Sequence, residues 1–146
     1  MDKETIFCKP NGSILNTVKK MLGIDVSYHV FDMDIIVGIN SALATLNQLG
    51  VIVDSDFTVM DECSKWDEVI KDKWFTRLSF IQQYVYLKVK TLFDPPTSSF
   101  VLDAFNKQIS ELEWRINVEI ETIREEERHD RSDISSSRRQ RHEMGA

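Results

Sequence analysis

A chain of 146 residues with 42% hydrophobic and 29% charged residues has the size of one domain with a usable core, which excludes a multidomain enzyme. Its net charge of -6 argues against a protein that coats nucleic acid, because counterion release needs clustered Lys and Arg. No run approaches the roughly 18 to 20 apolar residues of a membrane span, and the charged stretch Met1–Pro10 has no apolar leader; a soluble chain with no membrane contact, made and kept in a cytoplasm, is expected.

Ser13 is placed to cap a short first helix, Ile14–Leu22, whose apolar residues Ile14, Leu15, Val18 and Leu22 recur at helical spacing before Gly23 stops it. A second helix takes its cap from Asp32 or Asp34, buries Ile35, Ile36, Ile39, Leu43 and Leu46, and ends at Gly50. Gly38, Ala42 and Ala44 keep it slim enough for close approach of a neighbour. Periodicity fails from Val51 to Ser64, which reads as an extended loop with one partial hairpin and an optional short strand at Phe57–Met60. Ser64 and Asp67 resemble a capping box opening one or two turns through Ile70. A third long helix spans about Lys73–Phe93, with Phe75, Leu78, Ile81, Val85, Val89 and Leu92 as its buried stripe.

Asp94-Pro95-Pro96-Thr97-Ser98-Ser99 predicts a tight helical hairpin, since Pro95 drives Asp94 out of helical geometry and Ser98 or Ser99 can cap the next helix. That last helix runs from about Ser99 to Glu127, on the order of 40 Å. Leu102, Ile109, Ile116 and Ile123 recur at intervals of seven, with Phe105 and Leu112 on the companion seam. Leu78, Ile81, Val85, Val89, Leu102, Phe105, Ile109, Leu112 and Ile116 form the expected core. The fold class is all-α: a small bundle of about four helices with a long C-terminal helix and an extended C-terminal tail.

Charge separates that tail from the body. Residues 128–146 hold Arg128, Arg131, Arg138, Arg139 and Arg141 against three acidic residues, a balance of +2, and leave -8 on the preceding residues. The segment is too polar to offset its ordering entropy, so it reads as disordered until a partner surface orders it. The chain thus divides into an N-terminal extension at 1–12, a helical domain at 13–127 and a basic arm at 128–146.

Catalytic patterns are missing from the sequence. Gly12, Gly23, Gly38 and Gly50 stand singly, so no phosphate loop is written. His29, His129 and His142 accompany no serine in a nucleophile elbow. Asp54, Asp56 and Asp61 imitate a calcium loop, but Val59 stands where the turn needs Gly and Lys65 where the bidentate Glu belongs. The turn between the first two helices is too long for a helix-turn-helix. Cys8 and Cys63 lack metal-ligand spacing and read as free thiols. Trp114 falls off the heptad seam, which leaves a second core face or an interface, the core position being the commoner. No catalytic, metal or cofactor residue is assigned.

The order of these pieces resembles the head-to-tail connector (adaptor, head-completion) family of long-tailed bacteriophages. The resemblance covers about Ser13–Val118 and is carried by the first helix Ser13–Ile24, the helix Asp32–Gly50, Trp66-Asp67, Tyr84–Phe93, Asp94–Phe100 and Glu111-Leu-Glu-Trp-Arg-Ile-Asn117. The proline-containing breaker and Glu-Leu-Glu-Trp-Arg are its specific part. It implies a virion protein of the head-to-tail interface, made in the host bacterial cytoplasm. A homo-oligomeric ring, twelve subunits in that family, would dock under the portal protein. It would continue the channel through which genomic DNA passes without sequence-specific binding, and meet the next tail-side connector or stopper protein. An acidic body suits a conduit for DNA, and Arg128, Arg131, Arg138, Arg139 and Arg141 become the expected portal-binding residues. The competing reading is a nucleic-acid-binding oligomeric module of the packaging machinery, in which the arm binds DNA directly.

Overall fold

The computed structural model describes residues 12–145. Helix α1, Ile14–Met21, is opened by Ser13, whose Oγ accepts from the Asn16 backbone N–H at 3.2 Å. It buries Ile14, Leu15 and Val18, and the chain leaves it through Gly23 at φ 76°. Helix α2, Asp32–Leu49, comes after a ten-residue connection. The predicted Asp cap is corrected here: Phe31 stands at the N-cap position and gives no side-chain cap bond. Asp32 lies inside the first turn, where its carboxylate is drawn to Lys19 and His29 instead. At the other end Gly50, at φ 95°, closes the helix by donating to Leu46 O and Asn47 O.

The segment after α2 is extended, with isolated antiparallel bridges between Ile52 and Ile70 and between Ser13 and Lys65. No strand forms at Phe57–Met60. Val59 is nevertheless buried, because Asn40 of α2 clamps its peptide, accepting from its N–H at 2.8 Å and donating to its C=O at 2.9 Å. The side-chain amide supplies the pairing that a neighbouring strand would give. Helix α3 is a single turn, Trp66–Val69, opened by Lys65 with no side-chain cap bond. The capping-box expectation at Ser64 is thus replaced by backbone pairing: Ser64 O accepts from Ile14 N–H, and Trp66 N–H donates to Gly12 O. Cys63 is disulfide-bonded, which corrects the free-thiol expectation there. The pairing of residues 12–14 with 64–66 brings these two stretches together next to Cys63, a proximity that spacing along the sequence does not reveal. Cys8 lies outside the described residues.

The third long helix is two pieces. Asp72–Arg77 is a 3-10 helix and Leu78–Phe93 is α4. The tighter winding puts Trp74 in the core at 3% exposure and turns Phe75 outward at 37%, so Phe75 leaves the predicted stripe. Leu92 also leaves it, at 62% exposure in the last turn of α4. Between these ends Ile81, Val85 and Val89 are fully buried, and Leu78 is partly buried against them. Gly38 of α2 meets Val89, and a Cβ built on it would lie 3.2 Å from Val89 Cγ2, so the missing side chain sets how closely α2 and α4 approach.

After Asp94-Pro95-Pro96 the chain turns back along α4 as α5, Ser99–Glu143. Ser98 is its N-cap, without a side-chain bond. Ile109, Leu112, Ile116 and Ile120 are buried, Phe105 and Ile123 pack on the core edge, and Leu102 is half-buried. Helix α4 packs on both α2 and α5. Its buried Tyr84 donates to Glu113 Oε1 of α5 at 2.8 Å. The all-α fold with a long C-terminal helix is therefore present, but the extended tail is corrected, since α5 continues through the basic arm to Glu143. No Gly or Pro interrupts Ser99–Glu143. Local bonds carry the helix onward: Ser132, Ser135 and Ser136 each bond the carbonyl three residues back, and His129 Nδ1 lies 3.1 Å from Asp133 Oδ2. At about 1.5 Å per residue the part beyond Glu127 reaches roughly 24 Å.

Candidate interaction surfaces

Arg128, Arg131, Arg138, Arg139 and Arg141 are all exposed on this last stretch of α5. At about 100° per residue, Arg124, Arg128, Arg131, Arg138 and Arg139 fall within an arc of roughly 100°, and Arg141 lies outside it. The helix thus gathers most of the basic residues into a stripe. Glu126, Asp130 and Asp133 fall on the other side. The last ion pair between α5 and the rest of the body is Lys73 with Glu127, at the foot of the arm. Hydrogen bonding to Lys73, then its charge, holds the Glu127 carboxyl below the ordinary carboxylate range. Past Glu127 every described residue is exposed.

Two further surfaces are apolar. The first is a hollow of about 250 Å³ lined by Trp74, Phe80, Trp114, Arg115, Ile116, Val118 and Glu119. Trp114 is 65% exposed, so the core position that the sequence favoured is corrected to a surface one. The heptad seam faces α4 through Ile109, Leu112 and Ile116, and Trp114 falls two positions off it. Arg115 stacks 6.0 Å from the Phe80 ring centroid and pairs with Glu111, while Glu119 pairs with Arg77. The second surface lies at the start of α2 and the end of α4. Met33 and Val37, 74% and 67% exposed, form an i,i+4 ridge beside a shallow cleft of Phe31, Asp34, Gly38, Leu92 and Phe93. Phe31 stacks edge to face on both Tyr28 and Phe93. The sequence leaves Trp114 open between a core face and an interface and gives no sign of the Met33 ridge, because exposure of either depends on which helices pack on which.

The buried polar groups serve structure. Lys19 is fully buried and donates from Nζ to Val26 O at 3.0 Å, Tyr28 O at 2.6 Å and Asp32 Oδ1 at 2.7 Å, using all three of its protons. Burial, then the Glu113 carboxylate, pushes the Tyr84 phenol up, so it serves as a donor that stays protonated. Asp54 and Asp61 each accept from the backbone N–H two residues on. Among the described residues no group of three His, Cys, Asp or Glu stands where it could hold a metal ion.

This helical body offers other molecules contact: a basic helix standing clear of it and two apolar faces, the attributes of an assembly component. The chain belongs to the phage connector protein family, whose model matches residues 14–122. It is therefore a bacteriophage head-to-tail connector, a structural component that associates with other phage head and tail proteins. The match runs from the first residue of α1 into the second half of the heptad seam and stops short of the basic arm. No curated protein and no solved structure matches the chain. No helix among the described residues is long and apolar enough to cross a membrane.

Proposed function

We propose that the chain docks as a homo-oligomeric ring, of twelve subunits by resemblance to its family, under the portal vertex of a filled head. There it extends the DNA channel and offers its far face to the next tail-side protein. The observation that carries this reading is the Arg-rich end of α5, which leaves an acidic body as a formed helix and bonds only to itself. A helix already formed loses less conformational entropy on docking than a disordered arm would, so its arginines engage acidic or carbonyl acceptors on the portal at lower cost. The negative body discourages phosphate from sticking in the lumen.

Removal of residues 128–146 tests the reading. The truncated chain is expected to keep its fold and lose attachment to purified portal. Truncated protein that joins DNA-filled heads and yields infectious particles at the normal rate overturns it. Salt-dependent retention of the full chain on linear DNA, lost with the same truncation, would instead favour the nucleic-acid module.

A further inference from the structure

We infer that the Met33–Val37 ridge of one copy seats in the Trp114 hollow of the next, so that copies of this chain associate head to tail. This rests on the ring reading above and names the contact that builds it. The two surfaces share no residue. The ridge stands on α2 and the hollow is framed by the 3-10 helix, the first turn of α4 and the middle of α5, so each copy that offers a ridge also offers a hollow. Contact between two different surfaces is heterologous and propagates until the rotation closes a ring.

Form and charge both select a second copy as the occupant. Met33 and Val37 project one turn apart, a spacing of about 6 Å, and present flexible and branched apolar side chains. The hollow is mostly apolar, with Trp74, Phe80, Ile116 and Val118 around an exposed wall, Trp114, and aromatic residues of this kind anchor interfaces. Asp34, beside the ridge, takes part in no ion pair within the described residues, whereas Arg115 stands on the rim of the hollow. Bringing the ridge into the hollow sets that free carboxylate against the guanidinium. The net negative charge of the body keeps the association weak in dilute, low-salt solution, and added salt relieves the repulsion.

The test uses two full-length variants, Val37→Glu, which spoils the ridge, and Trp114→Glu, which spoils the hollow. Both positions are exposed, and circular dichroism checks that each variant keeps its helices. Sedimentation velocity across a concentration series at moderate salt is expected to show parental chain forming larger assemblies. Each variant alone should associate about tenfold or more weakly. An equimolar mixture should recover one contact, the intact ridge of Trp114→Glu in the intact hollow of Val37→Glu, and stop at a dimer. Parental-strength assembly by either variant, or a mixture that forms no dimer, overturns the contact while the ring reading stands on the parental assembly. Parental chain that stays monomeric throughout, with and without portal, removes both.

Discussion

Lys19 Nζ lies 2.7 Å from Asp32 Oδ1 and ties the end of α1 to the first turn of α2. The same ammonium holds the carbonyls of Val26 and Tyr28, so one buried side chain fixes the path of the loop that positions Phe31 and the α2 ridge. Replacing it by Met keeps the stem and strands two carbonyls and a carboxylate. Breaking a fully buried pair costs about 3 to 5 kcal/mol. The Asp32 side chain keeps 21% exposure, so Lys19→Met should cost about 2 to 3 kcal/mol. Urea denaturation measures this, and an unchanged midpoint would show that the loop holds its path without the clamp.

Asp32 also gives the fold an acid limb. Partial burial is the largest single influence on its carboxyl and pushes it up, but the hydrogen bonds and charges of Lys19 and His29 together outweigh it and leave it below the ordinary value. A carboxyl depressed in the folded state contributes stability that is fully present above its unfolded pKa, about 3.9, and lost as pH falls through the folded value. Asp32→Asn should therefore be less stable than the parent at neutral pH. The gap should narrow as the pH drops below about 4. Parallel denaturation series of the two proteins would read this, and a gap constant down to pH 2 would contradict it.

Gly38 and Val89 set the spacing of α2 and α4. Alanine at 38 gains about 1 kcal/mol of helix propensity. Its Cβ must push back a methyl of Val89 from 3.2 Å, with the Val89 Cα at an ordinary 3.5 Å behind it. The two effects nearly cancel, so Gly38→Ala should stay within about 1 kcal/mol of the parent. Gly38→Val has no room for its second branch and should lose about 1 to 3 kcal/mol. Thermal unfolding of the pair separates these outcomes.

Where local chemistry decides structure, the sequence is legible. Ser13 before an apolar period, Gly50 after one and Pro95-Pro96 between two set helix limits close to those observed, because caps and breakers act within one turn. Tertiary choices stay hidden. Lys19 looks like any lysine on the outer edge of α1 until the 24–31 loop folds over it. Phe75 matches the helical period of the residues after it, and only the 3-10 winding of Asp72–Arg77 exchanges it for Trp74. The helicity of the arm escapes its composition, which says nothing of a helix already nucleated behind it: continuing a helix costs far less than starting one. Of the candidate surfaces, the arginines are visible as charge. The ridge and the hollow need the packing.

Ile109 is 8% exposed on the α5 seam, one heptad before Ile116 at 1%. Ile109→Ala should cost about 2 to 5 kcal/mol from lost burial and the cavity left behind. An unaltered denaturation midpoint would mean that α5 contributes little to the body and that α2 and α4 hold together without it.

The helix beyond Glu127 gives the last prediction. Its side-chain bonds are all to turns of α5, and the last ion pair tying α5 to the rest of the body, Lys73 with Glu127, comes just before it. Its helicity therefore rests on propagation from α5 and on local pairs worth a few tenths of a kcal/mol each. A proline at Ser136 removes one backbone bond and clashes with the carbonyl four residues back, at a cost of about 3 kcal/mol. That exceeds the stabilisation the local pairs can restore, so Ser136→Pro should melt the helix around and beyond 136 while the unfolding midpoint of the body stays where it was. Circular dichroism should lose the ellipticity of the last turns, and the arginines Arg138, Arg139 and Arg141 should no longer share one rigid axis. If portal attachment requires the formed stripe, Ser136→Pro weakens it nearly as much as complete removal of the arm. If Ser136→Pro binds portal at parental strength while truncation abolishes binding, the portal reads charge alone, and the helical geometry of the arm has no part in docking.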